Sequence, residues 1–259
     1  MDRPFTALTI AGSDPSGGAG LQADLKTFHA HGVYGMAVVS ALTVQSARGV
    51  EQAQPVAPEW VADQLAVVFE NHPVDAIKIG MLANAEVVRA VAQTLASQTQ
   101  RPPVVLDPVL RPSAGATALL ASEAHERLLT ELFPLCDVVT PNLDELGALL
   151  GEEATCAFAQ RTGVAVLVTG GHGEGEAVED TVFFPDGQMV TVSHPRIAGP
   201  GRHGTGCTLS SAIAARLARG DTLAIAIQGA SRYVHTEIAK AAPGGFGPTP
   251  PLLHDRSED

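Results

Sequence analysis

Short β-branched runs alternate with helix-period segments along most of this chain. That alternation narrows the fold more than any other feature, because it is the pattern of a parallel sheet covered by helices. Leu8–Ile10 reads as the first strand, and Leu21, Leu25 and Phe28 then put one apolar face on a helix of about three turns. Met36–Thr43 is a second strand, and Val61, Leu65, Val68 and Phe69 mark a helix started by Pro58. Ala76–Ile79 is a strand, and Asn84 caps a helix carrying Val87, Val88, Val91 and Leu95. Val104–Leu106, a Leu128/Leu129/Leu132 helix, Val138–Val139 and Ala165–Val168 continue the series. Val178–Phe184 and Met189–Val192 flank Pro185-Asp-Gly-Gln188 and read as an antiparallel hairpin. Helices from about Gly206 to Arg219 and Thr222 to Lys240 close the pattern. The expected architecture is a three-layer α/β/α sandwich, mostly parallel, with one small hairpin.

No composition break suggests a linker, so residues 1–259 read as one domain with a loose tail from about 243. With 28 acidic against 16 basic residues, a net charge of −12 argues against nucleic acid or an anionic membrane surface as partner. Aromatics are only 4%, so the core must rest on Ala, Val, Leu and Ile, with little to stack bases on. Three scattered cysteines fit neither a disulfide framework nor a zinc site, and the N-terminus lacks the charged-then-apolar order of a signal peptide. A reducing cytoplasm is the expected compartment.

In such sheets ligands bind at strand ends, so the loops after strands carry the chemistry. Within Gly12-Ser-Asp-Pro-Ser-Gly-Gly-Ala-Gly20, Gly18 to Ala23 matches a dinucleotide fingerprint, but no acidic residue lies between Asp24 and Glu51 to hold a ribose. A nicotinamide reading is therefore weak; a turn that lets backbone approach a ligand is the better one. Gly199-Pro-Gly-Arg-His-Gly-Thr-Gly-Cys207 runs straight into an apolar helix, where free N–H groups and the positive helix end suit an anion. Gly201 to Gly206 has Walker A spacing, yet Cys207 stands where Lys is required, so this is no P-loop. The dipole at the helix start is expected to depress the Cys207 pKa toward thiolate; the blander reading is that Cys207 fills space there. Asn142 and Glu145 form a capping-box pattern, but Glu145 also suits Mg²⁺ or its waters, with Asp107 at a strand end as companion. His29, His31, His72, His125, His194 and His235 show no ligand spacing; His172 and His203 are modest site candidates.

Together these segments, with Ser40-Ala-Leu-Thr-Val-Gln45, Lys78-Ile-Gly-Met-Leu82, Leu106-Asp-Pro-Val109, Val139-Thr-Pro-Asn142 and His203-Gly-Thr-Gly-Cys-Thr-Leu-Ser-Ser211, resemble the hydroxymethylpyrimidine and phosphomethylpyrimidine kinases of the ribokinase-like superfamily. The resemblance implies ATP-dependent phosphorylation of 4-amino-5-hydroxymethyl-2-methylpyrimidine and then of its monophosphate, in thiamine diphosphate biosynthesis, with Mg²⁺ and a homodimer. It places Gln45, Gly12, Asp24, Met81 and Val109 around the pyrimidine. Asn142, Thr169, Gly170 and Gly171 fall on the nucleotide side, Asp107 and Glu145 at the metal, and Gly204, Thr205, Gly206 and Cys207 at the transferring phosphoryl group. Two departures stand out: Thr169 replaces a customary Lys, and Arg202 a customary Thr, so Arg202 is a candidate substitute for the missing cation. The segment from Gly151 to Gly163 is shorter than usual, which implies a trimmed flanking helix. A pyridoxal kinase of the same Cys-motif branch, a cysteine-nucleophile acyl-transfer enzyme and a catalytically silent pyrimidine sensor are the rival readings.

Overall fold

The structure, a computed structural model, describes residues 3–46, 49–110, 122–151, 153–171, 175–199, 201–241 and 249–255. One nine-stranded sheet runs through it in the order β3-β2-β1-β4-β5-β6-β7-β8-β9: Gly49–Pro55, Tyr34–Ser46, Thr6–Gly12, Ala76–Ile79, Val104–Leu106, Val138–Val139, Ala165–Val168, Ala177–Phe183 and Met189–Pro195. The six strands from β2 to β7 are parallel, and β3, β8 and β9 add antiparallel edges. The β8–β9 hairpin is the one expected from sequence. The other edge holds a difference: β2 runs three residues past Thr43 and turns back into β3. Gly49-Val-Glu-Gln-Ala-Gln-Pro55 is exposed over most of its length, so it carries no apolar alternation to announce a strand.

Period-two alternation sorts the strand residues onto two faces. Leu8, Ile10, Ile77, Ile79, Val104 and Leu106 face one core, covered by α2 (Pro58–Asn71) and α3 (Ala85–Ala96). Ala7, Ala76, Val105, Val138 and Ala165 face the other, under α1 (Gly20–Ala30), α7 (Thr205–Ala218) and α8 (Leu223–Lys240). Alanines on this second face meet Ala212, Ala214 and Ala215 of α7, which is how a chain poor in aromatics fills its interior by close backbone approach. Asn84 caps α3 as expected, accepting the Val87 N–H at 2.8 Å. After α4 (Ser122–Arg127), the Leu128–Leu132 stretch is a π-helical turn running into a 3₁₀ turn, where an ordinary helix was expected. α5 (Leu143–Leu150) and α6 (Thr155–Thr162) complete the elements, so the short Gly151–Gly163 segment still holds an eight-residue helix.

Candidate active site

The chain order reverses between β1 and β4, and the carboxyl ends of the parallel strands all open on one edge there. Gly12 ends β1, Gln45 lies near the end of β2, and Met81 follows β4. Asp107 and Val109 follow β5, Asn142 follows β6 and Thr169 follows β7. Residues scattered over 157 positions (12 to 169) thus share one edge because each immediately follows or ends a strand. A Cβ on Gly12 would lie 3.4 Å from Met81 Cε, so the thioether already rests on the bare backbone. The Ser40 hydroxyl fixes that turn by donating to the Met81 carbonyl.

The start of α7 leans against the loop after β1. Gly204 has φ +83°, and a Cβ there would run into the Gly18 carbonyl, so only glycine lets the two loops interlock. No side chain caps α7, and its first intrahelical bond is Thr208 N–H to Gly204 O at 2.9 Å. The N–H groups of Thr205, Gly206 and Cys207 therefore carry the positive end of a fourteen-residue helix, with Gly206 exposed at the surface. The Cys207 sulfur receives the Gly20 N–H at the start of α1. Even so, the expected thiolate is not what the surroundings favour. Burial above all pushes the thiol up to about 12; Lys78 and the Gly20 amide pull it down, and the Asp107 and Asp24 charges push it up.

Behind the sulfur, Lys78 and Asp24 form an ion pair in which neither side chain reaches solvent. Lys78 Nζ is 2.9 Å from both Asp24 oxygens, and Thr9 and Ser211 donate to the same carboxylate at 2.6 and 2.7 Å. Burial alone would lower the Lys78 pKa, but Asp24, Cys207 and Asp107 raise it. Asp24, expected to line the pyrimidine pocket, is fully buried with its oxygens occupied by protein donors. Those bonds tie α1 to β4 and α7. Asp107 is buried beside Gly206 and accepts from Ser210 at 3.3 Å. Burial, opposed by Lys78 and reinforced by Asp24, lifts its carboxyl to about 6. Glu145 goes further, to about 8, through burial and the Asp107 charge. Glu145 also completes the capping box: its Oε2 accepts the Asn142 N–H at 3.1 Å while Asn142 Oδ1 accepts the Glu145 N–H at 2.9 Å. The capping reading holds, and the same side chain stands near enough to Asp107 to feel its charge. Among the described residues no group of three or more His, Cys, Asp or Glu could hold a metal ion. Two carboxylates that resist ionising together do fit Mg²⁺, which keeps most of its waters.

After β7, Thr169 bridges to Asn142, and the Gly170 N–H donates to Asp180, itself bound by Ser231. Arg196 donates to the carbonyls of Gly171, Gly175 and Ala177. Arg202, expected to replace the cation missing at Thr169, instead donates to the Ala241 carbonyl at 3.2 Å. Among the described residues it makes no bond to Thr169, Gly170 or Gly171, and Arg196 is the cation that touches this loop. His172 lies outside the described residues. Sequence reasoning did not single out Lys78, though a lysine in Ala-Ile-Lys-Ile-Gly is a charge inside an apolar strand, nor the Asp14–His203 pair, whose Oδ2 and Nε2 are 2.8 Å apart.

The sandwich, the strand-end site and the interlocked helix start define a ribokinase-like small-molecule kinase. Residues 14–251 match the family description "Phosphomethylpyrimidine kinase", and the chain belongs to that family. It is 46% identical over 245 residues to the hydroxymethylpyrimidine/phosphomethylpyrimidine kinase of Rhizobium meliloti, covering 91% of each chain. Among solved structures it resembles an ADP complex of Bacillus subtilis pyridoxal kinase, at TM-score 0.87 and 33% identity over 98% of both chains. It also resembles phosphomethylpyrimidine kinase from Clostridium difficile, at TM-score 0.75 and 35% identity over 90% of this chain and 99% of that one.

Proposed function

We propose that the protein uses ATP to phosphorylate 4-amino-5-hydroxymethyl-2-methylpyrimidine and then its monophosphate, within thiamine biosynthesis. The observation that carries this reading is one short connection: Gln45, suited to an aminopyrimidine edge, lies 3.3 Å from His203, the residue preceding the Gly204–Cys207 anion hole. Recognition and phosphoryl transfer thus share one wall. Met81 and Val109 supply apolar surface for the ring. The Thr205, Gly206 and Cys207 amides stabilise charge on the phosphoryl group in flight, and the Cys207 thiol orients the acceptor hydroxyl, whose proton leaves late in a loose transition state. Asp107 and Glu145 would hold Mg²⁺, which when bound neutralises phosphate charge. Asn142, Thr169, Gly170 and Gly171 form the nucleotide side.

Of the two bases open to an acyl-transfer reading, His203 has its Nε2 engaged by Asp14 and Gln45 rather than by the thiol, and His172 lies outside the described residues. ADP release with Mg-ATP and the hydroxymethylpyrimidine tests the proposal against a silent sensor. Turnover on pyridoxal exceeding that on the pyrimidine would reassign the acceptor. We also infer a homodimer, supported by Leu42 and Val44, which stand more than half exposed two residues apart on one face of β2; a monomer in sedimentation at micromolar concentration refutes it. No described helix is long and apolar enough to cross a membrane.

A further inference from the structure

Gln45 has an amide whose two ends differ by a half-turn, and a ligand contact depends on which end faces where. Its neighbours decide this. Asp14 Oδ1 accepts the Ser16 N–H and hydroxyl at 2.9 and 2.8 Å, while Oδ2 accepts the Gly18 and Ala19 N–H groups at 3.2 and 2.8 Å. Burial alone would raise this carboxyl, but the His203, Ser16 and Ala19 bonds hold it at about 2, so it is ionised and only accepts. His203 Nε2, 2.8 Å from Asp14 Oδ2, must therefore carry a hydrogen and donate. Gln45 Nε2 and His203 Nε2 stand 3.3 Å apart, but a ring nitrogen that donates cannot accept from an amide NH₂, so the amide has to turn by a half-turn and bring its oxygen there, where it shares the hydrogen with Asp14.

A second neighbour, 3.3 Å from the other end of the amide, gives the same answer. The Thr43 hydroxyl gives its single hydrogen to the Ser13 carbonyl at 2.7 Å, leaving it only lone pairs to offer Gln45. The amide nitrogen belongs there. Oxygen toward His203 and nitrogen toward Thr43 satisfies both neighbours at once; the reverse satisfies neither. One oxygen lone pair and one N–H then remain for a ligand, each on a fixed side. The ring that sets this is itself clamped. Gly18 lies so close to the imidazole that a Cβ would strike it, Pro251 packs alongside, and the His203 N–H bonds the Pro250 carbonyl at 3.2 Å.

We infer that His203, held as a donor by Asp14, is a positioning residue that fixes the Gln45 amide and thereby which way round an aminopyrimidine sits, so that its hydroxymethyl group faces the Gly204–Cys207 hole. This rests on the pyrimidine-kinase reading and names the specificity device within it.

The test is ADP release with two acceptors, 4-amino-5-hydroxymethyl-2-methylpyrimidine and the same ring without its amine, with every variant checked by thermal melting. The wild type should prefer the amine by about tenfold or more in kcat/KM, the scale of one good paired contact. His203→Ala should abolish that preference, mainly through KM for the amino substrate. His203→Gln, which keeps an N–H near the Nε2 position, should restore most of it. In a Gln45→Ala background, His203→Ala should change the preference no further. The inference is overturned if His203→Ala lowers turnover of both acceptors by one factor with the preference intact, or if His203→Gln behaves like His203→Ala. A wild-type enzyme inert toward both acceptors sinks the kinase reading and this inference with it, and is told apart because no variant is then involved.

Discussion

At the scale of single residues, Cys207 shows how a local rule and its surroundings can disagree. The thiol sits in the first turn of α7 and receives the Gly20 N–H, which by themselves favour thiolate, yet burial, with Asp107 and Asp24 adding to it, holds the thiol at about 12. Alkylation by iodoacetamide at pH 7.5 should therefore be slower than for an unstructured cysteine peptide. Faster modification would mean the thiolate is present after all. Cys207→Ala should lower kcat by about a hundredfold, the low end for losing a group placed on the transferring proton, and leave KM for the pyrimidine within a few-fold. An unchanged kcat removes Cys207 from the chemistry. The glycines around Cys207 were legible in sequence because each marks a backbone demand. The sign of the pKa shift was not, since it is set first by burial, with Asp107 and Asp24, 100 and 183 positions distant in sequence, adding to it.

At the scale of elements, α5 does two jobs with one side chain. Glu145 closes the capping box and stands against Asp107. Its folded pKa of about 8 lies above the ordinary value near 4.5, so the folded state binds the extra proton between those limits and stability falls as pH rises through that window. Glutamine keeps the cap and drops the charge. Glu145→Gln should melt a few degrees higher than wild type at pH 8 and equally at pH 4. Mg²⁺ should raise the wild-type melting temperature at pH 8 and leave the variant unmoved; the same Mg²⁺ shift in both would separate Glu145 from the metal. The pattern Asn-Leu-Asp-Glu announced the cap, because capping is read from four adjacent residues. It could not announce the repulsion, which needs β5 and β6 side by side. The same limit hid β3: an exposed edge strand has no buried face to impose a period.

At the scale of the whole molecule, the mostly parallel sandwich was legible because strand and helix segments alternate along the chain, whereas the order of the strands, which many windings share, was not. What no periodicity reveals is the solvent-free Lys78–Asp24 pair that ties β4, α1, α7 and, through Thr9, β1 into one block. Lys78→Met should destabilise the protein by about 3–5 kcal/mol, because it strands a carboxylate in the interior. Lys78→Met with Asp24→Leu should recover much of that loss in urea denaturation. A double variant no more stable than the single would show that the hydrogen bonds from Thr9 and Ser211, rather than the pair of charges, hold the block together. Descendants of this sequence consequently face a locked door: whichever partner changes first leaves the other's charge marooned, so the pair can be abandoned only by two substitutions arriving together, and drift alone tends to preserve it.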